Sequence, residues 1–344
     1  MLVDMREVRR GIGVTIMGGD VATCAQVAAL AERRGLRSAW TAEFYDRSAT
    51  VSLAAMAAAT SRITLGSAIM YAFARSPLLT VAEARDLDEL SGGRFVLGLG
   101  TGTRQQVAGW LGLEARHLAP RLEELVPLVR DLWRLRDGEL RHEGRFYHLR
   151  LRPMLEVRAP ARSDLEVWVA GVNPRMIEAA GRVADGLVGH PLFTPEYVAE
   201  VVRPALARGA ARSGRTAGVP IASYVACVIA DDTARARREA AAQVAFYAVV
   251  KAFDPIMRLH GFEREAAAIR DAFRRRDKRA MLDLVGDRML DTFTVHGTPA
   301  EARDRFRARY AGLYEEPLLF FPPAGSDRGR HLEGITAIVE TFAS

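Results

Sequence analysis

Lysine is almost missing from this 344-residue chain: it occurs only at Lys251 and Lys278, although lysine and arginine together number 48. The net charge of +6 is therefore carried by arginine. Those arginines are spread along helical patterns and interleaved with acids, as in Glu301, Arg303, Asp304 and Arg305. A nucleic-acid binder concentrates its charge on one face and carries a recognition motif, and neither is present. The densest run, Arg274-Arg275-Arg276-Asp277-Lys278-Arg279, reads as a solvated helix end. Cysteine is nearly absent too. Cys24 and Cys227 lie in apolar runs, which predicts core thiols rather than a disulfide or metal ligands and fits a reducing cytoplasm. No run of about 18 apolar residues exists, so no membrane span is expected. Met1–Arg10 is short and charged without an apolar stretch, so no secretory signal is expected. Catalytic signatures are missing as well. There is no His/Asp/Glu cluster at metal-ligand spacing, no G-x-S-x-G, no H-E-x-x-H and no Walker A sequence. Nucleophile-elbow hydrolysis, zinc proteolysis and nucleotide hydrolysis are set aside, and no metal is expected.

What the chain does have is alternation. Strand patterns at 11–16, 38–41, 63–70, 95–100, 165–170, 186–189, 221–230 and 317–321 are separated by helical ones. Asp20 is the expected N-cap of a helix over 21–34, and Thr194 that of a helix with Pro195 at its first position. The box Thr80-x-x-Glu83 predicts a helix start at Thr80, and Gly92-Gly93 predicts its end. The pattern breaks over 137–160, where a turn with extended flanks is expected, and over 233–290, which reads as a long helical region broken near Pro255 and Gly261. Hydrophobic residues make up 49% of the chain, enough for a sizeable core. Eight strands in strict alternation predict a parallel sheet closed into a (β/α)8 TIM barrel in one domain over 1–344, with insertions after strands four and seven. An open doubly wound sheet is disfavoured because Gly11-x-Gly13 lies at the start of the first strand rather than in the turn after it.

Active sites of such barrels sit at the C-terminal strand ends. Here those ends are Met17-Gly18-Gly19, Glu43, Ala68-Ile69-Met70, Gly100-Thr101-Gly102-Thr103, Ala170-Gly171-Val172-Asn173 and His190-Pro191. They offer small residues, a few hydroxyls, one carboxylate and one imidazole. The strand Phe95–Gly100 leaves with Gly98, Gly100 and Gly102 free of side-chain bulk, as a backbone does when it passes close to something large. Such a rim suits a planar cofactor that brings its own reactivity.

The residues also carry a resemblance. Leu65-Gly66-Ser67-Ala68-Ile69, Arg75-Ser76-Pro77, Asp88-Glu89-Leu90-Ser91-Gly92-Gly93-Arg94-Phe95, Gly98-Leu99-Gly100-Thr101-Gly102, Tyr147 and Ala184-Asp185-Gly186 are similar to the luciferase-like monooxygenase superfamily, barrels that bind FMN or the deazaflavin coenzyme F420. Gly100-Thr101-Gly102-Thr103, Val188-Gly189-His190-Pro191-Leu192 and Asp254-Pro255 with His260-Gly261-Phe262 resemble its F420-dependent branch. The resemblance implies a non-proline cis peptide between Ala68 and Ile69 in a bulge against the cofactor, with Met70 beside it. It implies Glu43 near the polar edge of the ring, Thr101, Gly102 and Thr103 flanking it, and the phosphate near Ala170, Gly171, Val172, Asn173, Leu192, Phe193 and Thr194. A structural alternative for Glu43 is a pair with Arg47, and for Thr194 a plain N-cap. His190 would touch the ribityl chain or the substrate. Glu43, Thr103 and His190 are the candidate catalytic residues. The sugar-phosphate dehydrogenases of the branch carry a histidine and a glutamate where this chain has Phe44 and Thr103, so that activity is not expected. The implied function is hydride transfer between F420 and a small organic substrate, by a cytoplasmic homodimer. An FMN-dependent monooxygenase and a cofactor-binding barrel without catalysis are the alternatives.

Overall fold

In the computed structural model, which describes residues 11–136, 138–324 and 327–343, the strands are β1 (Gly13–Ile16), β2 (Ser38–Thr41), β3 (Thr64–Ser67), β4 (Met70–Tyr71), β5 (Phe95–Gly100), β6 (Leu140–Glu143), β7 (His148–Leu151), β8 (Val167–Ala170), β9 (Gly186–Gly189), β10 (Ile221–Ile229), β11 (Thr294–Gly297) and β12 (Glu316–Phe320). Met1–Arg10, read above as short and charged, lies outside the described residues. Eight strands pair in parallel around a closed barrel in the order β1, β2, β3, β5, β8, β9, β10, β12, and β12 returns to β1. The expected TIM barrel is the observed one.

Inward-facing side chains fill the lumen: Trp40, Val96, Trp168, Val188, Ala222, Tyr224, Leu318 and Phe320 form one buried cluster. Trp40 and Trp168 meet edge to face at 6.1 Å. Each faces a glycine on a neighbouring strand: a Cβ on Gly66 would lie 2.2 Å from Trp40, and one on Gly186 2.4 Å from Trp168. At the far end of the lumen, where the strands begin, Glu316 accepts the Trp40 indole N–H at 2.9 Å and the Ser38 hydroxyl. The outer apolar faces of the strands and the surrounding helices form the larger core, in which Cys24 and Cys227 are buried free thiols. Among the described residues no single helix is long and apolar enough to cross a membrane.

Several boundaries differ from the sequence reading. The third strand does not run through to Met70. It stops at Ser67, the Ala68–Ile69 peptide is cis, and Met70–Tyr71 pairs anew with β5. The helix expected from Thr80 begins at Pro77, capped by the Ser76 hydroxyl on Leu79 N–H at 3.2 Å. Proline's fixed φ sets the first helical position, and Glu83 turns to Arg75 and Thr50 instead. The 137–160 excursion contains the antiparallel hairpin β6–β7. Glu124 anchors it by accepting N–H groups of Arg145, Phe146 and Tyr147, while Arg121 bonds the Tyr147 hydroxyl at 3.2 Å and covers the Phe73 ring. The helical region after β10 ends in a strand that the sequence did not announce: β11 follows the helix Asp287–Phe293 without a turn residue and pairs with β10 beyond the barrel wall.

Candidate active site at the mouth of the barrel

The mouth is built around the end of β3. Ser67 Oγ donates to Gly98 O at 2.9 Å and accepts Gly98 N–H at 2.8 Å, a side-chain bridge where the ladder gives out. Gly98 is a glycine because a Cβ there would fall on the Ser67 carbonyl oxygen. The bareness of that strand exit thus serves, in part, the neighbouring strand. Further up, a Cβ on Gly100 would lie 2.7 Å from Ile69 Cδ1 and 3.1 Å from the Ala170 methyl. Across the lumen the Tyr224 hydroxyl donates to Ala68 O. Glu43 N–H donates to Ile69 O at 2.9 Å, and the Glu43 carboxylate accepts Tyr71 N–H at 2.9 Å.

Glu43 is therefore part of the bulge's fastening. Its partner is Arg75 rather than Arg47: Nη1 lies 2.8 Å from Oε2, and Nη2 bonds Oε1. Arg75 also reaches Glu83 at 3.0 Å. The carboxylate of Glu43 raises the Arg75 guanidinium above its ordinary range against the opposing effect of burial. With both oxygens engaged, Glu43 sits as a fixed negative charge beneath the rim. Burial raises the Tyr71 phenol to about 12, and the nearby Glu43 charge adds to it.

Thr101, Gly102 and Thr103 follow β5. Thr101 Oγ1 donates to Gly102 O at 2.9 Å. Gly102 adopts φ 70°, and a Cβ there would sit 3.1 Å from the Tyr71 ring. Thr103 caps the helix Arg104–Gly109 in a reciprocal box: its hydroxyl accepts Gln106 N–H at 3.2 Å, and Gln106 Oε1 accepts Thr103 N–H at 2.7 Å.

On the opposite side, His190 Nδ1 accepts Leu192 N–H at 3.2 Å, which assigns the imidazole proton to Nε2. Its ring lies 4.3 Å from Phe253 and 4.9 Å from Tyr247, both from the region after β10. Burial pushes its pKa down to about 3, so His190 is a neutral hydrogen-bond donor across the physiological range. Thr194 is the N-cap of the short helix that Pro195 opens. Its hydroxyl is wholly buried, accepts Tyr197 N–H at 3.1 Å and lies 2.9 Å from His260 Nε2. The capping alternative describes its side chain, and Leu192 and Phe193 are buried with it. Asn173 is different: it opens the ten-residue helix Pro174–Val183 with no side-chain hydrogen bond to the first turn, which also carries the exposed Arg175. Gly171 packs on that helix, and Val172 O accepts the Tyr197 hydroxyl at 2.9 Å.

The structure thus binds Glu43, Ala68, Ile69 and Met70 into one wall with Thr101, Gly102 and Thr103 beside it at the exit of β5, continues that wall with Ala170–Asn173 at the end of the neighbouring β8, and sets His190, at the end of β9, across from the strand that leads to Glu43. Tyr224, Tyr247, Phe253 and Gln106 were not singled out from sequence. Tyr224 had a readable signal, an inward register position between Ala222 and Ala226. Met17, Ile69 and Ala170 sit half-buried on top of the lumen cluster as an apolar floor. A flat, uncharged ring fits such a floor, and an anion fits a helix start left without a side-chain cap. The residues present therefore suit a flavin-like cofactor with a phosphate-bearing tail. Among the described residues no group of three or more His, Cys, Asp and Glu could hold a metal ion.

Fold and mouth together define a (β/α)8 barrel whose site is formed by the C-terminal strand ends. The family model for luciferase-like monooxygenases matches residues 8–316, and the chain belongs to that family. It is 33% identical over 318 residues to an uncharacterized protein of Mycobacterium tuberculosis, covering 90% of this chain and 92% of the relative. It is 28% identical over 298 residues to the 5,10-methylenetetrahydromethanopterin reductase of Methanolobus tindarius, covering 85% and 88%. The solved coenzyme F420-dependent tetrahydromethanopterin reductase of Methanopyrus kandleri superposes with a TM-score of 0.81 at 22% identity, over 97% of this chain and 98% of that one. The family setting is that of oxidoreductases.

Proposed function

We propose that this chain is a coenzyme F420-dependent oxidoreductase that moves a hydride between the deazaflavin and a small organic substrate. The observation that carries this reading is the character of the mouth: an apolar floor of Met17, Ile69 and Ala170, bordered by a neutral imidazole and hydroxyls, with its one buried carboxylate bound to Arg75. The similarity to a methanopterin reductase supports it. A bound deazaflavin supplies the hydride at C5. The protein's share is placement. The wall from Ala68 to Tyr71 backs the ring, Thr101 and Thr103 flank it, the start of the helix Pro174–Val183 with Arg175 receives the phosphate, and His190 Nε2–H donates to an oxygen of the tail or the substrate. Holding donor and acceptor about 3–3.5 Å apart and dry is the main contribution such a site makes.

The family's name favours a second reading, an FMN-dependent monooxygenase that activates oxygen. Titrating the purified protein with oxidised and reduced F420 and with FMN, followed by fluorescence, separates the two. Micromolar F420 binding without FMN binding is expected, and the reverse overturns the proposal. Binding without turnover over a panel of enones, imines and alcohols would leave a cofactor-binding barrel without catalysis. We also propose a homodimer, supported by exposed Val51, Leu78, Leu79 and Leu90 on two helices that pack together, Ala49–Ala58 and Pro77–Ser91. Light scattering should return twice the chain mass.

A further inference from the structure

Three large aromatic side chains stand in solvent at one side of the mouth. Phe44 is 40% exposed, Tyr45 74% and Trp110 45%. They touch one another: ring centroids lie 4.7 Å apart for Phe44–Tyr45, 5.3 Å for Phe44–Trp110 and 5.4 Å for Tyr45–Trp110, with the two tryptophan contacts edge to face. Exposed apolar groups scattered singly need no account, whereas a contiguous cluster at a cleft does.

Both roots of this cluster are fixed in the site wall. Phe44 directly follows Glu43, and a tight turn closed by Phe44 N–H to Arg47 O at 3.0 Å holds Phe44 and Tyr45 outward. Trp110 ends the short helix that Thr103 caps, with its N–H on Gln106 O at 2.9 Å. The rings are thus carried by the two segments that follow β2 and β5, the strands on either side of β3 and its bulge. Aromatic faces held in place and left wet offer a flat aromatic partner ring–ring contact in addition to the area buried, a gain that an aliphatic partner lacks.

We infer that Phe44, Tyr45 and Trp110 form a docking platform that selects a planar, conjugated substrate ring for the proposed oxidoreductase. The word substrate rests on that functional reading, and the docking itself does not. Trp110 supplies a reporter, because the other three tryptophans, Trp40, Trp133 and Trp168, are at most 2% exposed.

The test uses the full chain without cofactor, with iodide quenching and lifetime of tryptophan emission as the readout. The probes are benzylideneacetone, a flat aryl enone, and 2-octanone, an apolar ketone without a ring. The expected result is an iodide-accessible Trp110 in dilute protein that benzylideneacetone shields, with an affinity at least tenfold above that for 2-octanone. Tyr45→Ala and Phe44→Ala should each weaken shielding at least fivefold while leaving the thermal midpoint and the F420 affinity unchanged. Equal affinity for the two ketones overturns the inference, as does an unchanged affinity in both variants. So does a Trp110 already shielded in the dilute protein, which would assign the patch to a second copy or another protein. Shielding without any F420 binding would overturn the functional proposal and leave the platform standing.

Discussion

At the scale of single residues, the Glu43–Arg75 pair is the most consequential contact outside the lumen. Its side chains are only 8% and 15% exposed, and its removal unfastens Tyr71 as well as Arg75. Breaking a buried pair from one side leaves a charge without its partner. Arg75→Ala should therefore lower unfolding stability by about 3 kcal/mol in chemical denaturation, the lower end for such pairs. Arg75→Lys should recover only part of that loss, because an ammonium cannot make the paired contact. His190 leads to a different expectation. It is neutral well below the range in which a free histidine titrates, so cofactor affinity should show no step there. A step with a midpoint near the ordinary histidine value, absent in His190→Gln, would overturn the neutral state assigned to His190. Sequence showed that Glu43 ends a strand and faces the mouth. It could not show the partner. Arg47 is near in sequence, but Arg75 arrives only once β3 has ended in its bulge, β4 has paired onward with β5 and the segment after it has come alongside Glu43.

Among the elements, β3 is positioned from both of its ends. Before it, Glu32 at the end of the helix Val21–Arg33 accepts N–H groups of Ser61, Arg62 and Ile63 at 3.0, 2.6 and 2.8 Å. Burial acts to raise this carboxyl, but the three N–H donors outweigh it and bring it to about 2. A depressed carboxyl contributes stability that is complete above its unfolded value and is lost as pH falls from about 4.5 towards 2. Glu32→Ala should cost about 1–2 kcal/mol at neutral pH, since three donors lose their acceptor, and should flatten the acid limb of a denaturation series. After it, Gly98 has no room for a methyl group, so Gly98→Ala should destabilise by about 3 kcal/mol, the severe end of overpacking, with a lowered melting temperature as the readout. The strands were legible because buried parallel strands write themselves as short apolar runs. The break within 63–70 was not, because Ser67-Ala68-Ile69-Met70 is apolar enough to continue a strand, and what interrupts it comes from β5 and β10. The start at Pro77 was misread for a local reason: two capping patterns overlap there, and the one with proline at the first helical position prevailed.

For the whole molecule, three neutral imidazoles shape the response to acid. His190 is held down to about 3, and His296 and His331 to about 4, each chiefly by burial. The unfolded chain takes up these protons near pH 6.5 and the folded one does not. Stability is then full above that pH and falls as pH drops from about 6.5 towards 4. Melting temperatures measured across this range should decline, and His331→Leu should make the decline shallower, since neither ring nitrogen of His331 has a hydrogen-bond partner. The barrel was legible from alternation alone, and β11 was not, since four residues attached to a helix end leave no pattern to read. That strand has a further consequence. β10 has nine residues where most barrel strands have four, and its last residues run past β12 with β11 beside them. At about 3.3 Å per residue the excess raises that part of the rim by roughly 10 Å. In the order of the barrel β10 stands diametrically across from β3. The opening is lopsided, like a jug with a spout. One flank is a high parapet built by β10 and β11, the other a low sill, and Phe44, Tyr45 and Trp110 stand along that sill.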